Sequence, residues 1–395
     1  MNGTYDLGGY SRPITTRSSA AQRWFDLGLN WRYGFNHEAS IASFERARTA
    51  DPECAMAHWG VAWATGPYYN RKWSDYSPQQ REAAVAEANR SVELALALVD
   101  RCAPVEQALI RALAPRYPYP KPAELETMDA WHYAHVAVLR DVHSRFPTDL
   151  DVAALFAEAM MNRTPWRLWS AATGKPAVGA DTEEIVCVLE GGLARAAAAG
   201  IAHPGLLHFQ VHLMEMSPYP ERALLAADRL RHLAPDAGHL LHMPSHIDVQ
   251  IGRYVEALEA SDRAIAADRR YLANEGSNNF YTSSRCHNLH LKIYAAMLAG
   301  RWEPAIEAAD ELAANLPGSL LSDLDPPLSD WLEGYVAMRL HVLIRFGKWR
   351  ELTREQLPDY PRPLSRHDRA CSLCARGCAR GAGRDQRGRS GAGAV

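Results

Sequence analysis

Three tripeptides govern the second half of the chain: Gly252-Arg253-Tyr254, Gly300-Arg301-Trp302 and Gly347-Lys348-Trp349, with glycines 48 and 47 residues apart. A recurrence at that period marks one supersecondary unit repeated along the chain, each copy burying its apolar face against the next. Ala257, Ala264, Ala305, Ala309 and Pro317 keep step with the glycines, as small contact residues and a helix stop would. Almost nothing in the 395 residues alternates with the two-residue period of a half-buried strand. The expected fold class is therefore all-α, a solenoid of helical hairpins.

The first half carries a sharper version of the same unit. Counted from Ala21, Trp24, Leu27, Gly28, Trp31, Phe44, Ala47 and Pro52 fall at positions 4, 7, 8, 11, 24, 27 and 32 of a 34-residue repeat. That resembles the tetratricopeptide (TPR) pattern W-x2-L-G-x2-Y, A-x3-F, P, with Ser40 standing where a small alanine is usual. Trp59, Gly60 and Trp63 open a second unit. Regularity then loosens into helices over 79–100, 104–114, 125–145 and 149–162, with irregular links at 66–78, 116–124 and 164–182. Asp181 or Thr182 is the expected cap of the next helix, with Glu183 and Glu184 in its first turn. The segments NHEA from Asn36, CAMAHWG at 54–60 and GHLLHMPSH at 238–246 make the chain similar to a bacterial family of histidine-rich TPR proteins. Three regions follow: a lead segment at 1–20, the repeat array at 21–364, and an Arg/Gly/Ala-rich tail at 365–395 expected to be disordered.

The histidines fall into phase with this frame, although the frame was set by Gly, Ala and Pro. His208, His212 and Glu215 occupy positions 5, 9 and 12 of their unit. His239, His242 and His246 occupy positions 2, 5 and 9, as do His287, His290 and Tyr294, and His341 takes position 9 of the last unit. On a helix, residues three and four apart are neighbours. The TPR resemblance implies that these positions line the concave face, so the set is expected around one cavity. Imidazoles with few carboxylates and no thiolates suit Zn, Cu, Fe or Ni better than Mg or Ca. The candidate metal ligands are His208, His212, Glu215, His239, His242, His246, His287 and His290. Either two ions share them, or three or four bind one ion and the rest support them or meet substrate.

Tyr294 and Glu215 are the candidate catalytic groups. Trp166, Trp169, Tyr271 and Tyr281, from loops, and His341 are the candidate pocket wall, with Phe280 beside them. Pro244, inside its unit's first helix, either starts or kinks that helix; a kink would aim His242 and His246 at a common point. His37 is a candidate helix cap, while His132 and His135 have the right spacing but no phase. Cys371, Cys374 and Cys378 have a superficial zinc or iron–sulfur spacing in a tail with no core to close around a metal. The apolar pattern stops after about residue 364, where a premature or out-of-frame end is the expectation.

The expected function is metal binding, with one or two transition-metal ions, copper or iron ahead of zinc. A metal-dependent oxidoreductase acting on a small-molecule substrate with O2 heads the readings, because bridging carboxylates for hydrolysis are scarce. A TPR adaptor holding a partner peptide is the alternative from another class, with a zinc hydrolase or metal storage behind it. A net charge of −3 gives no pull toward nucleic acid, and no apolar run is long enough for a membrane span. Seven scattered cysteines and no apolar leader point to the cytoplasm.

Overall fold

A computed structural model describes residues 5–316, 318, 321 and 327–355, with the side chains of 327, 328 and 330 left aside. The Cys371–Cys378 motif, the region 365–395 and the array's expected end at 364 lie outside the described residues. Those residues form α-helices joined by turns and loops, arranged as successive antiparallel pairs in TPR-like fashion. The first two pairs are α1 (Ser19–Tyr33) with α2 (His37–Ala50), and α3 (Ala55–Thr65) with α4 (Pro78–Ala97). The next two are α5 (Pro104–Leu113) with α6 (Leu125–Arg145), and α7 (Leu150–Met161) with α8 (Thr182–Ala198). Helix α9 (Pro204–Met214) pairs with α10 (Leu224–Leu230), and the short α11 (Gly238–His242) and α12 (Pro244–Gln250) pair with α13 (Tyr254–Glu275). Then come α14 (Thr282–Leu298) with α15 (Trp302–Ala314), and α16 (Pro327–Val336), α17 (Met338–Arg345) and α18 (Trp349–Leu352).

The repeated glycines have a local cause. Gly252, Gly300 and Gly347 lie at φ +82°, +68° and +66°, the left-handed region where a side chain is strained. Each stands two residues past the last residue of its helix, directly after the cap. The following N–H reaches back five residues: Arg253 to the Asp248 carbonyl (2.8 Å), Arg301 to Ala296 (2.9 Å), Lys348 to Leu343 (2.9 Å). This is the Schellman stop, which satisfies carbonyls that a helix end leaves open and turns the chain into the next helix. In the first unit the constraint is contact. A Cβ on Gly28 or Gly60 would sit 2.7 or 2.5 Å from the Phe44 ring, so α1 and α3 close on that ring from two sides.

The array does not run straight away from its first unit. Tyr5 donates to Glu275, Asp6 N–H donates to the Asp236 carboxylate while Asp236 N–H donates to the Asp6 carbonyl, and Phe280 N–H donates to Glu38 (3.0 Å). Tyr5 and Trp31 pack on Tyr271, and α1 packs on α9. The lead segment is thus a strap fastened to both the middle and the sixth unit.

One fastening point is fully buried. Asp151 accepts from Tyr33 Oη (2.6 Å) and His203 Nε2 (3.1 Å) on one oxygen, and from Arg12 (2.7 Å) and Tyr10 (2.9 Å) on the other. Burial alone raises a carboxyl pKa, but His203, Arg12 and Tyr33 outweigh it and hold Asp151 below the usual carboxylate range. A depressed folded pKa gives stability that is present above the unfolded value of about 3.9 and fades as pH falls through the folded value. The Asp151→Asn variant should therefore be less stable than wild type at pH 7, with the gap in urea midpoint narrowing below about pH 4. A gap that stays constant from pH 7 to pH 3 would count against this account.

Candidate metal centre

Six imidazoles from four helical segments meet in two sets. His208, His212 and His239 form one, and His242, His246 and His287 the other; within each set one ring nitrogen per residue lies within 4.8 Å of its partners. The sets do not follow the sequence triplets. The central segment is shared: His239 joins the pair from α9, while His242 and His246 join His287 from α14. The helix breaks between them. Helix α11 ends at His242, Met243 links, and Pro244 opens α12 at a position where its missing N–H costs nothing. Across that break His242 Nε2 and His246 Nε2 stand 2.8 Å apart.

Hydrogen bonds at the far side of the rings say which nitrogen is free. His208 Nδ1 donates to the Tyr33 carbonyl (2.6 Å), which leaves its Nε2 as a lone pair 3.1 Å from His239 Nε2. Glu215 serves both sets at once. Its Oε1 takes His212 Nδ1 (2.7 Å) and its Oε2 takes His246 Nδ1 (2.7 Å). That leaves His212 Nε2 as a buried lone pair with no partner in the protein. It also leaves His246 Nε2 with one lone pair and two approaching nitrogens, His242 at 2.8 Å and His287 at 3.3 Å. Hydrogen bonding between the rings cannot serve all three. Tetrahedral ligands on an ion about 2.0–2.1 Å away stand about 3.3 Å from one another, close to the 2.8, 3.1 and 3.3 Å pairs here, with the other ring nitrogens of each set within 4.8 Å. The donor set fits a transition metal at either position.

The electrostatics keep these lone pairs open. Burial, followed by the neighbouring rings, lowers the pKa of His208, His239, His242 and His287 well below the ordinary imidazole value. His212 is lowered by burial despite Glu215. Glu215 itself is raised by burial but driven further down by His246 and His212, so it stays a carboxylate.

The first hairpin completes the site. Phe35, in the α1–α2 turn, places its ring 4.4 Å from His208, 5.5 Å from His212 and 5.4 Å from His239. It does so at φ +55°. The other described non-glycine residue at positive φ is Trp166, whose ring stands 5.7 Å from His212. Held backbone strain tends to collect where the surroundings over-determine a functional geometry. A pocket of about 170 Å³ opens beside the two sets, touching His239 of one and His287 of the other. Its walls are the rings of Tyr68, Trp166, Phe280, Trp331 and Tyr335.

The remaining candidates are placed as follows. Glu215 sits behind the rings, with both oxygens taken by imidazole N–H groups. His290 packs on Tyr335 (5.4 Å) with its ring 6.3 Å from His287, outside both sets; burial, then His341, lowers it to about 4. Tyr294 is 44 % exposed, and His341 is exposed too. Two turns along a helix advance about 10 Å, and that carries Tyr294 past the centre. Among the pocket candidates Trp166 lines the wall. Trp169 instead donates to the Leu213 carbonyl (2.7 Å). Tyr271 and Tyr281 are buried between helices, Tyr281 donating to Asp268 (3.1 Å) and accepting from His239 N–H (3.2 Å). His37 does not cap α2; Asn36 does, through Ala39 N–H, while His37 binds the Ala64 carbonyl. His132 and His135 are buried and bonded to the Ala159 and Ala112 carbonyls. Asp181 precedes α8 without a side-chain capping bond.

No protein-family model matches the chain, and no curated protein does. Among solved structures it is similar to the TPR domain of P58(IPK), at 10 % identity over 91 % of this chain and 98 % of that one, with a TM-score of 0.20. A superposition that loose adds nothing to the fold argument, which stands on the repeats and hairpins themselves.

Proposed function

We propose that the protein binds two transition-metal ions, one on each histidine set, and uses them on a small organic substrate in the adjoining pocket. The observation that carries this reading is the convergence of six imidazoles in two sets, with the Nε2 lone pairs of His212 and His246 both fixed by the single carboxylate of Glu215. Bound there, copper or iron would supply one-electron and oxygen chemistry. The protein's part is to hold the rings neutral and oriented, to keep bulk water off them with Phe35, and to seat substrate against His239 and His287. Copper or iron is favoured over a hydrolytic zinc pair because the one nearby carboxylate is committed to two N–H groups and is not free to bridge ions.

An adaptor would need these side chains open to a peptide, yet His208, His239 and His242 are buried. Simple storage would need no pocket beside the ligands. Metal analysis of untagged protein should find close to two equivalents per chain after reconstitution with copper or iron. Oxygen uptake with candidate substrates should follow only those metals. Stoichiometric binding of zinc alone, with no oxygen consumed, would overturn the oxidative reading and favour hydrolysis or a structural ion.

A further inference from the structure

The pocket beside the histidine sets also carries information about what enters it. Its volume is about 170 Å³. An engineered cavity of about 150 Å³ in another protein takes benzene, so this space is large enough for one six-membered ring with small substituents. Five of its ten lining residues are aromatic, and none is Lys, Arg, Asp or Glu. A charged ligand would lose its water without gaining a partner, whereas a flat ring gains edge and face contacts with Trp166, Phe280 and Trp331.

The polar groups narrow the class further. Ser283 lines the pocket, but its hydroxyl already donates to the Phe280 carbonyl (2.8 Å). Asn70 is different. It stands on a tight turn closed by reciprocal Tyr68 and Arg71 backbone bonds of 2.9 Å, and its Oδ1 is buried with no hydrogen-bond partner. A buried acceptor left unmatched in a pocket wall is satisfied when a ligand brings a donor.

We infer that the pocket is a site for a neutral, single-ring hydroxylated aromatic, stacked among Trp166, Phe280 and Trp331, with its O–H donated to Asn70 Oδ1. The inference names the substrate class of the proposed metal centre and rests on that reading for its catalytic meaning. Seating the ring needs only the walls and Asn70, so it takes place in metal-free protein as well.

The test is fluorine NMR with 4-fluorophenol on the full chain, metal-free and reconstituted, with metal content measured on the same samples. The expected result is saturable line broadening in both, displaced by phenol and poorly by cyclohexanol; in metal-free protein benzoate and benzyltrimethylammonium should hardly displace it. 4-Fluoroanisole, which lacks the donor, should bind several-fold more weakly. Asn70→Ala should remove that difference by weakening the phenol about 2- to 10-fold and leaving the anisole unchanged. A fluorinated 1-naphthol should bind Trp331→Ala more tightly than wild type, because the substitution widens the pocket. Equal displacement by cyclohexanol, stronger displacement by either charged ring from metal-free protein, or no preference for phenol over anisole would overturn the inference. Two bound metals with no fluorophenol binding would sink this inference alone. Fluorophenol binding without stoichiometric metal would uphold it and sink the metal reading.

Discussion

Glu215→Gln should reduce the protein from two bound metal ions to one. The carboxylate accepts the Nδ1–H of His212 through one oxygen and that of His246 through the other. Glutamine keeps one acceptor and replaces the second with a donor, which opposes the N–H it faces. That imidazole then gains by shifting its proton to Nε2, and the lone pair its set requires is lost. Changes to groups that orient a metal-binding histidine commonly cost 10- to 100-fold in affinity, so one ion should survive dialysis against a competitor and the other should not. Stability follows the metal. An ion bound only by the native array adds about 4 kcal/mol when free metal is about a thousand times Kd. Chelator should therefore lower the melting temperature of wild type strongly, and that of Glu215→Gln, His242→Ala or His246→Ala by roughly half as much, since each change spoils one set and spares an ion on the other. Scanning fluorimetry with and without chelator, beside metal analysis, checks both parts. Melting curves indifferent to chelator would remove the metal from any account of this fold.

The second large effect lies away from the histidines. Arg32 on α1 is fully buried, with Nη2 2.7 Å from Glu158 on α7 and its guanidinium 4.5 Å from the centre of the Trp63 ring. Its Nε and Nη1 have no hydrogen-bond partner, so Glu158 supplies the charge balance for a cation otherwise cut off from water. Glu158→Ala should destabilise the protein by about 3–5 kcal/mol, the usual cost of orphaning one member of a buried pair. Replacing both residues with apolar ones of similar volume should restore most of that loss, since the desolvation of two charges disappears together. Urea midpoints for the two single variants and the double variant form the necessary cycle. If Glu158→Ala alone leaves the midpoint unchanged, the pair contributes nothing of consequence.

What could be read from the sequence was what depends on neighbours in the chain. Gly252, Gly300 and Gly347 marked the turns because a left-handed stop is a requirement of its own few residues. The spacing of Gly28, Phe44 and Gly60 likewise expressed one close contact. Phase put His208, His212, His239, His242, His246 and His287 on inward positions for the same reason. The grouping of those six was not legible, since it depends on how three units sit side by side and on a helix break at Met243. Nor could the role of Glu215 be seen, because an acid at the right phase reads as a ligand until both its oxygens are found occupied. Phe35 and Tyr33 act on His208 across more than 170 residues of chain, and no local pattern announces such a partner. The aromatics read as loop residues in the sequence, yet Tyr271 lies within α13 and both it and Tyr281 are buried packing groups. Tyr68 and Asn70 lie in the irregular 66–78 link, where no periodicity marks them.

The strap from Tyr5 to Arg12 changes what kind of object a repeat array is. Units that touch only their neighbours unravel from the ends, and losing one costs one interface. Here the opening residues are tied to Glu275, Asp236 and Asp151, and α1 packs on α9, so the first unit borders the fourth, fifth and sixth as well as the second. Up to the sixth unit the ladder closes on itself. The first unit is no longer an end at which melting can begin, and Tyr5 reaches Glu275 only after 270 further residues have been made. Ribosome-bound fragments ending before α13 should accordingly hold their helices without their full resistance to protease, and gain it abruptly once the circle closes.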